Sequence, residues 1–259
     1  MDGAVAVVTG GGTGIGAAVV RRLASRGVRC VVNYASSRDE AGAVAAETGG
    51  VAVRGDVADD ADCRALAREA VERWGRLDFL VNNAGRTKFA NHEDLEALEA
   101  DDSLDLYRVN TVSAFQMIRA CAPAMRDGDM GAVVNVASVA GVFGIGSSVA
   151  YACTKGAMIT LTKSLARVLA PAIRVNAVAP GYVGTGWFEK RLGEEGFARL
   201  NERIAGAVPM GFACGPDDVA GPIVNLLDPG SRAITGEVTL IDAGAHLDIG
   251  LSRRPGREL

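Results

Sequence analysis

Tyr151 and Lys155 stand four residues apart in the stretch YACTKG, residues 151–156. Residues i and i+4 of a helix share one face, so a helix here sets a phenol beside an ammonium. The chemistry this suggests is general acid catalysis on a carbonyl that receives hydride. The proton donor needs a pKa near working pH, and free tyrosine, at about 10, is too weak an acid. An ammonium ~4 Å away contributes about 4 kcal/mol at an effective dielectric of 20. That is worth as much as ~3 pKa units, and desolvation of the phenolate opposes part of it. The expectation is a Tyr151 pKa of about 7–8. With four tyrosines and four lysines in 259 residues, a chance Tyr-x-x-x-Lys is rare. The chain favours arginine over lysine by 23 to 4, and a compact point charge that can also bond ribose hydroxyls suits the task. The pair alone also fits two surface residues one turn apart, so its surroundings must decide.

A second chemical feature is TGGGTGIG at residues 9–16. It follows an apolar run and opens a helical pattern. Glycines permit a tight turn and let backbone N–H groups approach a pyrophosphate. The helix N-terminus adds partial positive charge. The strand–loop–helix context makes this a dinucleotide-binding signal, and no lysine follows the loop as a Walker-type phosphate loop requires.

The elements that position these residues alternate. Strand patterns occupy residues 4–8, 28–33, 51–55, 77–81, 132–137, 173–178 and 238–241. Helical patterns cover residues 14–26, a stretch starting at Ser36/Ser37 with Glu40, then 59–74, one long helix over about 101–125, and 152–169. Strands separated by helices pair in parallel through right-handed crossovers. Nearly all-apolar strands fit a sheet covered on both faces. The expectation is a single doubly wound α/β domain over residues 1–251, with a mostly parallel seven-stranded sheet and helices on both faces. Residues 184–216 interrupt the alternation and read as a substrate lid carrying Trp187, Phe188, Phe197, Met210 and Phe212. Residues 252–259 read as a polar tail.

Composition narrows the function. The net charge is −4 with no Lys/Arg block, so a nucleic-acid face is not expected. The first ten residues carry no basic n-region, and no signal peptide is expected. Residues 130–154 lack charge and are long enough to span a bilayer. They include Asn135, Ser138, Ser147, Ser148, Gly141, Gly144 and Gly146, which describes a buried strand and a Gly/Ser loop, so no membrane contact is expected. Five cysteines with no C-x-x-C pair indicate neither a disulfide framework nor zinc. They read as small buried hydrophobes in a reducing cytoplasm. His92 and His246 have no companions at ligand spacing, and no metal site is expected.

On these motifs together the chain resembles the short-chain dehydrogenase/reductase family along nearly its whole length, with a look of bacterial 3-oxoacyl-carrier-protein reductases. TGxxxGxG with Gly10, Gly14 and Gly16, Asn82-Asn83-Ala84-Gly85, Asn110 in RVNT, Ser138, Tyr151-x-x-x-Lys155, Pro180-Gly181 and GEVTLIDAG at 236–244 carry the resemblance. It implies a Rossmann domain and NAD(P)-dependent hydride transfer between nicotinamide and a carbonyl or secondary alcohol. It implies Tyr151 as general acid/base, Ser138 on the substrate oxygen, Lys155 on Tyr151 and the ribose, and Asn110 holding a water that links Lys155 to solvent. Gly10, Gly12, Thr13, Gly14, Ile15, Gly16, Asn83, Ala84, Gly85, Pro180, Gly181, Val183 and Thr185 are the implied cofactor contacts. Asp56 and Val57 would meet the adenine.

Relatives that use NAD carry an acid where this chain has Tyr34, and none precedes Asp39. Asn33, Ser36 and Ser37 offer neutral hydrogen bonds and Arg38 a charge, which favours NADP(H). Thr13 stands where many NADP-using relatives have a basic residue, which keeps NAD(H) open. The resemblance also implies a homotetramer or homodimer. A sugar or steroid-type alcohol dehydrogenase of the same family is the alternative enzyme. A non-catalytic dinucleotide-sensing regulator is disfavoured because both Tyr151 and Lys155 are present. A hydrolase is excluded by the lack of G-x-S-x-G and of a histidine partner for Ser138.

Overall fold

The computed structural model describes residues 1–128 and 131–247; the expected tail at 252–259 lies outside the described residues. Seven strands form one sheet: β1 Val5–Val8, β2 Arg29–Tyr34, β3 Val51–Arg54, β4 Phe79–Asn82, β5 Gly131–Val136, β6 Ile173–Pro180 and β7 Val238–Ile241. Their order is β3-β2-β1-β4-β5-β6-β7 and every pairing is parallel. The expected mostly parallel sheet is therefore wholly parallel. Its order reverses between β1 and β4, the switch point where doubly wound sheets bind ligands.

The helices are α1 Gly14–Ala24, α2 Arg38–Thr48, α3 Asp60–Trp74, α4 Ala100–Tyr107, α5 Ser113–Arg126, α6 Val139–Phe143, α7 Val149–Leu169, α8 Gly186–Ala207 and α9 Pro216–Leu227. One apolar layer packs α1, α2 and α9 on β1, β2, β4 and β5 through Val19, Leu23, Ile223 and Leu227. The opposite layer packs α3, α5 and α7 through Leu66, Met117, Cys121 and Leu169. β1, β4 and β5 are buried along their whole length, as expected for strands covered on both faces.

Three sequence expectations change. The single helix over 101–125 is α4 and α5 joined by a π-helical segment, Arg108–Val112, of the kind frequent at functional sites. α9 contains Pro222 and was not expected; its apolar face, Val219, Ile223 and Leu227, holds it against α1. Four cysteines are buried as expected, but Cys153 is exposed. Among the described residues there is no cluster of metal-ligating groups, and no helix is long and apolar enough to cross a membrane.

Candidate active site

The glycine loop and the loop after β4 meet above the switch point. The Thr9 hydroxyl accepts the N–H groups of Asn83 at 2.9 Å and Ala84 at 3.0 Å. The Asn83 amide donates back to the carbonyls of Thr9 and Gly10 at 2.9 and 3.1 Å. Asn83 therefore braces the loop rather than presenting its side chain outward. A Cβ at Gly16 would lie 2.2 Å from the Gly10 carbonyl oxygen, and one at Gly12 would lie 2.9 Å from Ala41. Only glycine fits these two positions, and the absent side chains leave the cradle that a pyrophosphate fills at a helix N-terminus. Thr185 approaches from the far side, its methyl 3.5 Å from where a Gly14 Cβ would stand. Thr13 is exposed, and Ile15 packs on the core edge. Thr9 opens the TGxxxGxG motif, but the motif does not reveal the hydroxyl tie to the loop after β4, whose partners lie more than seventy residues away.

The residues expected at the adenosine end separate into two groups. Asn33 is 2 % exposed. Its Oδ1 accepts from Gly10 N at 3.3 Å and its Nδ2 donates to the Gly55 carbonyl at 2.9 Å. It ties β2 to the loops beside it and does not reach out as a ligand. Tyr34, Ser36 and Ser37 lie at the C-terminal end of β2. Ser37 is the N-cap of α2 with no side-chain capping bond, so its hydroxyl is not spent on the helix. Asp56 is exposed; its carboxylate accepts from Ala58 N at 3.0 Å. Asp59 caps α3 from Ala61 N, and Val57 is buried in the core.

The catalytic candidates converge. α7 begins at the N-cap Ser148, whose hydroxyl accepts from Tyr151 N. Ser138 caps α6 through Ala140 N at 3.1 Å and donates to the Pro180 carbonyl at 3.4 Å, and its hydroxyl lies close enough to Tyr151 to act on the pKa of the phenol. Lys155 is buried, with its ammonium donating to the Val136 carbonyl at 2.7 Å. It lies 5.7 Å from the Tyr151 ring centroid. A Cβ at Gly85 would stand 3.3 Å from Asn110 Oδ1 and 3.6 Å from Lys155 Nζ, so both side chains close in on the glycine backbone. Gly181 is held by the Ile241 carbonyl at 2.9 Å, beside Pro180 at the end of β6.

One expectation at this centre is corrected. Burial pushes the Tyr151 pKa up, and the nearby Ser138 hydroxyl pulls it back only in part. Phenolate desolvation dominates, so the expected depression is absent in the chain alone. The same burial lowers the Lys155 pKa to about 8. The Asn110 side chain is hydrogen-bonded at both ends, which is compatible with the role expected of it. Its Oδ1 accepts from Arg86 N at 2.8 Å, and its Nδ2 donates to the Arg86 carbonyl and the Thr154 hydroxyl, both at 3.0 Å. It clamps the loop after β4 to α7.

Residues 184–216 fold mainly as α8, which breaks at Gly193 with φ 68° and buries no residue fully. Phe188 packs on Tyr182 at 4.8 Å and on Phe89 at 6.4 Å between centroids. The Arg191 guanidinium sits 3.9 Å over the Phe89 ring. Phe197 reaches back to Gly184, within 3.4 Å of its would-be Cβ. Trp187, Met210 and Phe212 are exposed. Val183 bridges Cys214 and anchors the segment at its start. Phe89 and Arg191 escaped the sequence reading because they lie about a hundred residues apart and meet only across the fold.

A parallel sheet with a glycine loop at its switch point and a Ser–Tyr–Lys cluster beside it defines a dinucleotide-dependent oxidoreductase. The sequence model described as enoyl-(acyl carrier protein) reductase matches residues 10–246, and the chain belongs to this short-chain dehydrogenase/reductase family. It is 41% identical over 244 residues to ketoacyl reductase 2 of the granaticin polyketide synthase of Streptomyces violaceoruber, covering 94% of this chain and 96% of that one. It is 34% identical over 248 residues to a 3-oxoacyl-acyl-carrier-protein reductase of Staphylococcus aureus, covering 93% and 98%. A crystal structure of a short-chain dehydrogenase/reductase from Burkholderia xenovorans superposes with a TM-score of 0.86 at 37% identity, covering 94% and 98%. The chain is thus an NAD(P)-dependent oxidoreductase acting on a CH–OH group or its carbonyl.

Proposed function

We propose that this enzyme reduces the ketone of a 3-oxoacyl thioester, with NADPH as reductant and Tyr151 as the proton donor. The convergence of Ser138, Tyr151 and Lys155 beside the glycine loop, with the Lys155 ammonium 5.7 Å from the Tyr151 ring centroid, carries the proposal. The relatives named as ketoacyl and 3-oxoacyl reductases support the substrate class. When bound, reduced nicotinamide supplies a hydride to the carbonyl carbon. Tyr151 gives its phenolic proton to the carbonyl oxygen, and Ser138 hydrogen-bonds that oxygen. With its pKa raised, Tyr151 keeps its proton at neutral pH and is loaded as an acid. The Lys155 ammonium, within reach of Gly85, binds ribose hydroxyls and opposes build-up of negative charge on Tyr151. Gly10, Gly12, Gly14 and Gly16 cradle the pyrophosphate with backbone N–H groups of the α1 N-terminus. Ser36, Ser37 and Arg38 hold the 2′-phosphate. α8 with Phe89 forms the lid over the substrate.

On this reading the enzyme works in the cytoplasm as a homotetramer or homodimer. A cleft between α5 and α7, lined by Phe115, Ile118, Pro123, Leu165 and Leu169, supplies an apolar interface for a second copy. A panel of 3-oxoacyl thioesters, sugars and steroid ketones followed by NADPH absorbance tests the substrate reading. Turnover of the thioesters above the other classes is expected, and selective turnover of a sugar or steroid overturns it. A monomer in sedimentation overturns the oligomer.

A further inference from the structure

We propose that Thr154 is a positioning residue whose hydroxyl fixes the turn bearing Tyr151 and Lys155, an inference that rests on reading Tyr151 as the acid. Thr154 is 2 % exposed. Its hydroxyl donates to the Tyr151 carbonyl at 2.8 Å and accepts from Asn110 Nδ2 at 3.0 Å. Its own carbonyl accepts from the Thr111 hydroxyl at 3.0 Å. Asn110 and Thr111 both belong to the π-helical segment Arg108–Val112. Three hydrogen bonds therefore converge on one residue, two of them made by that segment.

Through the Asn110 amide the chain of contacts continues to the N–H and carbonyl of Arg86, directly after Gly85. Thr154 is the junction between the loop after β4 and the helix that carries the acid. On its other side the turn is gripped by α6, where a Cβ at Gly141 would stand 2.3 Å from the Lys155 carbonyl carbon. The turn has no freedom to slide toward α6, and Thr154 holds it from the other side. A β-branched side chain is stiff at χ1, so its two hydrogen bonds fix a direction as well as a distance. Valine keeps this shape but removes both hydroxyl bonds, leaving Asn110 Nδ2 with the Arg86 carbonyl alone. Small misplacements of a reacting group are expensive, about 10²-fold for ~1 Å.

The test compares Thr154→Val, Thr154→Ser and Tyr151→Phe, with Thr154→Ala as a second hydroxyl-free variant should the valine fail to fold. Turnover, KM for the ketone, coenzyme binding by NADPH fluorescence and the pH profile of kcat are read at a temperature where circular dichroism shows each variant folded. The hydroxyl-free variant is expected to lose ~10–100-fold in kcat with coenzyme affinity within ~3-fold, and to shift the pH profile. Serine is expected to restore both. Wild-type kcat and pH profile in a folded hydroxyl-free variant overturn the proposal, even with a lower melting temperature. If Tyr151→Phe loses turnover in that case, only the positioning role falls; if Tyr151→Phe keeps it, the acid assignment falls as well.

Discussion

The Lys155 ammonium donates to the Val136 carbonyl at 2.7 Å while lying 5.7 Å from the Tyr151 ring centroid. The lysine is tied to β5, and burial governs both members of the pair. Tyr151 moves up and Lys155 moves down to about 8. Each shift favours the neutral form, so the chain by itself stores a protonated phenol.

Stability of the coenzyme-free protein should carry the mark of Lys155. Below pH 8 the lysine is charged in both the folded and unfolded states, and the cost of burying the charge is felt in full. Between about pH 8 and the ordinary lysine value of 10.5, the folded state has lost a proton that the unfolded state keeps. Unfolded chains then bind more protons, so this group's contribution to stability rises with pH across that window. Urea unfolding of wild type and Lys155→Met at intervals from pH 7 to 10.5 should show wild type gaining on the variant by on the order of 1–3 kcal/mol. A wild type that loses ground as pH rises would contradict the burial argument.

Arg174 should matter for stability and not for catalysis. Its guanidinium donates to the Leu226 carbonyl at 2.7 Å, Leu227 at 3.1 Å and Asp228 at 3.3 Å, covering the carbonyls at the C-terminus of α9. Charged hydrogen bonds of this kind contribute about 1.5–3 kcal/mol. Arg174→Met should lower the melting temperature by roughly 4–10 °C with kcat per folded molecule unchanged. An unchanged melting temperature would remove the capping role.

The lid should act on the ketone and not on the coenzyme. Phe89 joins Phe188 and Arg191, so Phe89→Ala unlatches α8 from the body. The expected result is a rise of ~10-fold in KM for the acyl substrate, since lid residues position and enclose it. NADPH affinity should stay within ~3-fold, because pyrophosphate is bound by backbone at the glycine loop. Equal losses in both affinities would mean that the segment is a structural brace.

Coenzyme choice is checked at the end of β2. Ser37 makes no capping bond and Arg38 begins α2, and the proposed function assigns both to the 2′-phosphate. The kcat/KM ratio of NADPH over NADH should exceed ~10, and Arg38→Leu should reduce it, consistent with a charge-assisted hydrogen bond. A preference for NADH would reverse the coenzyme assignment.

Much of this architecture was readable from the chain because it rests on periodicity and on glycine. Apolar runs of four to six residues announced the strands, and the glycine loop announced the switch point. The π-helical segment was hidden because an inserted residue leaves the apolar pattern of the flanking helices intact. α6 has five residues, too few for a period to register, and Pro222 stands inside α9, where proline ordinarily breaks a helix. The spacing of Tyr151 and Lys155 gave their shared face. It was silent on where a long flexible side chain ends, and the Val136 carbonyl decides that. Asn33 and Asn110 have the residue types of ligands, yet their amides are taken up by backbone groups distant in sequence.

The proton donor is the centre of the account. Turnover of purified Tyr151→Phe with NADPH and an accepted ketone, measured beside its NADPH dissociation constant, tests it most directly. The account predicts turnover reduced at least ~100-fold with coenzyme binding and circular dichroism unchanged. Turnover near wild type in that folded, coenzyme-binding variant would contradict it.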